Sequence, residues 1–163
     1  FLDMKHDNCH HALRLVFTGG DKLHRGPQKG AKYAVLNNYG PCENTIGCTC
    51  IEVPFDYKPP PFIIGSPAPN TQLFVLDDHR QMCPIGVSGE IYLGGQQLAK
   101  GYLARKDLTN QRFVASPFNP SERIYKTGDM GRYLPGGQVE FLGRRDTQVK
   151  IRGNRIEMGE VEA

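Results

Sequence analysis

The chain has 163 residues, 39% hydrophobic and 23% charged, with a formal net charge of +3. That is long enough for a real core, too mixed for a disordered polymer, and too weakly basic for charge alone to imply nucleic acid. No apolar run approaches bilayer-spanning length, and the opening "FLDMKHDNCHHALRL" lacks the basic-then-apolar order of a signal peptide. The expectation is a cytoplasmic protein whose partners include neither nucleic acid nor membrane. Nineteen glycines, twelve prolines and no Trp favour short strands and turns over a helical bundle. With Phe rather than Met at position 1, the start is expected to be a cut end.

In chain order, residues 1–60 hold two apolar runs, "LRLVFTGG" (Leu13 to Gly20) and "KYAVLNNYG" (Lys32 to Gly40). The polar "DKLHRGPQKGA" between them is expected to carry a short helix until Gly26-Pro27 stops it. Strand, helix, strand predicts parallel pairing in an α/β layer, the second strand being buried on both faces. Loops at such strand ends commonly bind ligands. The proline-rich "FDYKPPPFIIGSPAP" (Phe55 to Pro69) reads as a rigid connector. From residue 61 to 145 the texture becomes mainly β, a small barrel or sandwich. "TQLFVLDD", "SGEIYLGG" and "GGQVEFLG" alternate and are closed by Gly or Asp. "QQLAKGYLARKDLTNQRF" (Gln96 to Phe113) predicts a loop leading into a short helix. Residues 146–163 predict a strand at "TQVKIRG", a turn and return strand at "NRI", and the opening of a helix at "EMGEVEA".

Five Cys, with Cys42, Cys48 and Cys50 crowded together, suit reduced thiols better than a disulfide framework. "HDNCHH" (His6 to His11) beside "CENTIGCTC" matches no common zinc spacing, so small buried Cys and solvated His are expected instead.

Three stretches carry candidate chemistry. "NNYGPCE" sets a Tyr, a Gly-Pro turn and a Glu just past a strand. It is either an ordinary strand-end turn or a place where a ring stacks a base and Glu43 binds a hard cation such as Mg²⁺. In "YKTGDMG", Asp129 follows a glycine; its two acceptor oxygens suit a vicinal diol, though Gly-Asp turns are common. Arg144 follows a strand and Gly143, placed to reach a ligand edge or to form a surface ion pair.

These stretches occur in one order. "NNYGPCEN", "GEIYLGGQQLAKGYL", "YKTGDMGRYLPGG" and "GRRDTQVKIRGNRIEMGEVE" together resemble the adenylation domain of nonribosomal peptide synthetases, within the adenylate-forming enzyme superfamily. The resemblance spans nearly all of residues 13–163. It implies the C-terminal part of the large adenylation subdomain, an α/β layer plus a distorted β-barrel, followed by the first strands of the small subdomain.

The resemblance implies the following roles. Tyr39 would stack on adenine and Asn37 would bond its amino group, with Gly20, Asp21, Gly40 and Cys42 bordering the ATP site and Phe141 as a second aromatic. Asp129 would hold the ribose hydroxyls with Arg144, and Glu43 would be the catalytic Mg²⁺ ligand. Asp146 would be the hinge of the small subdomain. Phe17, Gly19, Asn38, Ile46 and Gly47 would line the substrate pocket, whose make-up suggests an apolar, leucine-like amino acid. The implied reaction is ATP-dependent formation of an aminoacyl-adenylate, then transfer to the phosphopantetheine thiol of a partner carrier domain among other synthetase domains.

Two residues depart from the family pattern: Cys42 stands where Thr is usual, and Asp21 where Glu is. A thiol is a weak donor to phosphate, which puts ATP affinity in doubt. No Gly/Ser/Thr-rich loop ending in Pro-Lys-Gly is present, nor is the family's terminal catalytic lysine or the Asp that binds the substrate amine. The chain by itself is therefore expected not to adenylate. Two other readings compete: a degenerate, non-catalytic adenylation-like platform, and an acyl-CoA ligase.

Overall fold

The computed structural model describes residues 12–145 and the backbone of two further strands, 149–151 and 154–156. β1 (Leu15–Gly19) and β2 (Ala34–Tyr39) run parallel, Thr18 opposite Asn37 and Gly19 opposite Asn38. The strand pairing matches expectation, but the helix between them is absent, and Asp21–Gly26 is non-helical. Gly26 and Pro27 leave too few residues for a helical nucleus, which only tertiary burial could offset. Instead Leu23 packs against Tyr33, Val35 and Val53.

β2 is also not buried on both faces. Val35 and Asn37 are buried while their neighbours are only half-buried. The cause is pairing: Val16 and Thr18 share a face with Val35, Asn37 and Tyr39, and that face is covered. Leu15 and Phe17 share the other face and are exposed.

A single 3-10 turn, Cys42–Asn44, follows β2 and leads to β3 (Thr49–Glu52), antiparallel to β2. The proline-rich stretch is not connector throughout. Its end forms β4 (Ile63–Pro67), which pairs with β3 through Thr49–Pro67 and Cys50–Ser66. Pro67 is the last residue of β4, where the missing N–H interrupts the ladder least.

β5 (Thr71–Leu76), β6 (Gly89–Gly95) and β9 (Val139–Arg144) fall where alternation predicts, as does helix α1 (Lys106–Arg112) before β7 (Phe113–Ala115). β8 (Arg123–Tyr133) is one long strand. What reads as a Gly-Asp turn at Gly128-Asp129 is strand, with a register shift at Met130/Gly131 taking up the irregularity. The order is β1-β2-β3-β4-β9-β8-β6-β5, with β7 beside β8. Val75, Ile91, Leu93 and Val139 are fully buried at its centre. β10 (Val149–Ile151) and β11 (Asn154–Ile156) form the expected hairpin. The helix expected at "EMGEVEA", the hinge Asp146 and the "HDNCHH" stretch lie outside the described residues.

Among the described residues Cys42, Cys48, Cys50 and Cys83 are free thiols, and no helix is long and apolar enough to cross a membrane.

Candidate functional site

A cleft of about 360 Å³ opens where the end of β2 meets β4, β8 and β9. Gly20, Asp21, Asn37, Asn38, Tyr39, Gly40, Asp129, Phe141 and Arg144, all predicted from sequence, line it.

Tyr39 is its centre. The hydroxyl donates to Asp129 Oδ2, and the ring lies 6.1 Å from that of Phe141, tilted by 41°. Burial, then the Asp129 carboxylate, hold the Tyr39 phenol well above its usual range, so it stays a donor. Asp129 is oriented from its other oxygen by Arg144, whose Nη1 lies 2.9 Å from Oδ1 and also donates to the Thr127 carbonyl. The backbone N–H of Asp129 donates to Thr127 Oγ1. Both members of the Arg144–Asp129 pair are largely buried, which favours a persistent ion pair over a solvent-screened one.

The lining also includes Lys22, Leu23, Tyr57 and Phe62, which no sequence motif marks. Phe62 is placed by its carbonyl, which accepts the N–H of Phe141, and Lys22 Nζ sits 5.1 Å from the Phe62 ring centroid. The proline-rich stretch hides Phe62, but its aromatic next to paired isoleucines is the available signal.

Glu43 sits apart from this lining, on the 3-10 turn, and is 8% exposed. Tyr102 Oη donates to its Oε1 across 2.7 Å. Gly40 starts the turn because nothing larger fits: a Cβ there would lie 1.9 Å from the Ile46 carbonyl oxygen. Among the described residues no three His, Cys, Asp or Glu gather to cage a metal. One carboxylate nevertheless fits Mg²⁺, which takes one or two carboxylates and completes its shell with phosphate oxygens and water. Cys42 is exposed and is not part of the cleft lining.

Of the proposed substrate-pocket residues only Asn38 lines the cleft, and its side chain donates to the Leu36 carbonyl. Phe17, Gly19 and Asn38 lie on the face of the β1–β2 pair opposite to Asn37 and Tyr39. Ile46 is exposed and Gly47 half-buried on the turn returning to β3. β2 therefore presents one set of candidates on each face.

The sequence profile of the family described as "AMP-binding enzyme" matches residues 2–103. Bacitracin synthase 1 of Bacillus licheniformis is 47% identical over 152 residues, covering 93% of this chain and 3% of that protein. Tyrocidine synthase 2 of Brevibacillus parabrevis is 44% identical over 158 residues, covering 93% of this chain and 4% of that protein. Among solved structures, holo-PA1221, an NRPS protein containing adenylation and PCP domains bound to a vinylsulfonamide inhibitor, superposes with a TM-score of 0.81. It is 32% identical, and the match covers 93% of this chain and 28% of that one. The chain thus spans a small part of the curated relatives and under a third of the solved neighbour.

Proposed function

Because the chain belongs to the AMP-binding enzyme family, we propose that it supplies the nucleotide-facing part of an amino-acid-activating ligase of nonribosomal peptide synthesis. The observation that carries this reading is the meeting of Asn37, Tyr39, Asp129, Phe141 and Arg144, from separate motifs, in one cleft.

The reaction is attack of an amino-acid carboxylate oxygen on the α-phosphorus of ATP. The P–O bond to the β-phosphate breaks, and aminoacyl-adenylate and pyrophosphate form. The phosphopantetheine thiol of a carrier domain then attacks the acyl carbon, the C–O bond to the phosphate breaks, and a thioester, AMP and a proton result. In this chain Tyr39 and Phe141 hold the adenine by its faces, and Asn37 reads its edge. Asp129, fixed by Arg144 and Tyr39, accepts from the ribose hydroxyls. Glu43 would hold Mg²⁺, whose charge would offset that of the phosphates. The residues here work mainly by positioning, the largest share of which is entropic. The choice of an apolar, leucine-like amino acid is drawn from the make-up of Phe17, Gly19, Asn38, Ile46 and Gly47, apolar and small residues with one amide.

The test has two arms. The complete adenylation domain carrying this chain is expected to exchange labelled pyrophosphate into ATP in the presence of one amino acid. Profiling that exchange across amino acids tests the apolar choice. The chain by itself is expected to bind AMP without exchange, since it holds neither the phosphate loop nor the lysine. Absence of exchange with every amino acid would favour a platform without catalysis, and turnover by the isolated chain would refute the division of labour.

A further inference from the structure

We infer that Tyr102 is a positioning residue for Glu43, its hydroxyl holding the carboxylate that is proposed to meet the nucleotide's divalent cation. The inference rests on that reading of Glu43.

The Tyr102 hydroxyl reaches Glu43 Oε1 from a loop 59 positions away. With Glu43 so little exposed, bulk water is poorly placed to replace the donor. Tyr102 is itself held on several sides. Its backbone N–H donates to Thr109 Oγ1, which in turn donates to the Arg105 carbonyl, tying it to α1. Its ring meets Phe113 edge-on with centroids 5.5 Å apart, and Phe113 packs on buried Tyr125 at 5.1 Å. Gly101 has φ +143°, and a Cβ there would lie 2.4 Å from Thr109 Cγ2, so the approach to Tyr102 requires glycine.

The same loop grips the turn by its backbone. Ala99 N–H donates to the Glu43 carbonyl at 2.9 Å, and Thr45 Oγ1 donates to the Gln97 carbonyl at 2.8 Å. Two of these bonds fix the turn, and the third ends on the side chain proposed to do the chemistry. A phenol suits that place because it orients a carboxylate without adding positive charge to compete with a cation, as Lys or Arg would.

The test uses the complete adenylation domain carrying this chain, with ATP affinity measured by calorimetry in Mg²⁺ and in EDTA. Tyr102→Phe is expected to lose about tenfold of the affinity that Mg²⁺ adds, with EDTA affinity and melting temperature near wild type. Glu43→Gln is expected to abolish the Mg²⁺ increment. Tyr125→Phe, which removes a hydroxyl 3.4 Å from that of Tyr102, is expected to leave it intact. A normal increment in Tyr102→Phe beside a lost one in Glu43→Gln overturns the positioning role while Glu43 stands. No increment in the wild type, or a normal one in Glu43→Gln, sinks the reading of Glu43 and this inference with it. Equal losses in Mg²⁺ and EDTA make Tyr102 a packing residue and overturn the inference. Should Tyr102→Phe not fold, 3-fluorotyrosine at position 102 keeps the hydroxyl. Its fluorine resonance is expected to move when Mg²⁺ joins the ATP-loaded domain, and a stationary resonance overturns the inference.

Discussion

The hydroxyl of Tyr39 donates to Oδ2 of Asp129 across 2.5 Å, although the two residues are 90 positions apart. The bond crosses from β2 to β8 and joins the ring proposed to face adenine to the carboxylate proposed to face ribose. Base and sugar recognition are thereby built on one connected unit, and a change at either residue is felt by both.

Tyr39→Phe keeps the ring and deletes that bond. It is expected to cost about 1.5–3 kcal/mol of unfolding free energy, the range for a bond to a charged group, and to weaken AMP binding. The pH dependence has a definite sign. Burial and Asp129 raise the folded-state pKa of Tyr39, so the neutral phenol is the favoured native form. That contribution is complete below the unfolded tyrosine pKa of about 10 and is lost as pH rises beyond it towards the folded value. Denaturant titrations at rising alkaline pH should show wild type losing stability faster than Tyr39→Phe; parallel slopes would contradict the assignment.

Glu90 is buried on β6 beside β8. Its Oε1 accepts the N–H of Gly128 at 3.0 Å, and its Oε2 lies 3.8 Å from both Lys126 Nζ and Arg145 Nη1. Glu90→Ala leaves that N–H without its acceptor next to Asp129. A loss of about 2–4 kcal/mol is expected, with weaker AMP binding. Glu90→Gln retains a carbonyl oxygen and should lose less. Equal stability of Glu90→Ala and wild type in urea would refute this placement.

Gly40→Ala forces a methyl group against the Ile46 carbonyl and to 2.7 Å from Cys48 Sγ. Backbone must shift, so a cost of about 2–4 kcal/mol is expected. Gly47→Ala, where a Cβ meets nothing within 4 Å, serves as control and should stay within about 0.5 kcal/mol. Thermal unfolding of the pair decides; similar melting temperatures would mean the turn yields.

The thiols should separate by reactivity. Cys42 is exposed, whereas Cys48 is fully buried and its thiol is pushed up to about 11 by burial. Peptide mapping after brief treatment with a thiol reagent is expected to find Cys42 labelled before Cys48. Cys42→Thr should leave stability within about 0.5 kcal/mol and raise ATP affinity, read by calorimetry in the complete domain.

Much of this fold was legible as alternation. "TQLFVLDD", "SGEIYLGG" and "GGQVEFLG" became β5, β6 and β9, each setting side chains in a common core, with β6 buried on its other face as well. The failures share a cause: local punctuation was outweighed by pairing partners far away. Ile63–Pro67 sits among prolines, yet β3 and β9 on either side supply its bonds. Gly128-Asp129 has turn residues, and Gly128 does take a positive φ, yet the pairing of β8 with β6 and β9 on either side carries the strand through it. The cleft residues were readable wherever a motif was distinctive, as with Asn37, Tyr39 and Asp129. Phe62 and Lys22 were not, since they come from the proline-rich stretch and from the loop after β1, and only the fold brings both to the cleft. Tyr102 lay inside a quoted motif, but nothing in its spacing pointed to a carboxylate 59 positions earlier.

The two-faced character of β2 amounts to a parity rule. In Ala34–Tyr39 the odd-numbered positions look towards the covered face, proposed for the nucleotide, and the even-numbered ones towards the face proposed for the amino acid. Substitutions at Leu36 are expected to leave the proposed ATP contacts of Asn37 and Tyr39 in place, whereas Asn38, which also lines the cleft, is expected to bear on both proposed sites. A one-residue insertion or deletion in the same strand exchanges the two roles wholesale. Variation in substrate preference at this strand should accordingly proceed by replacement, with strand length held constant.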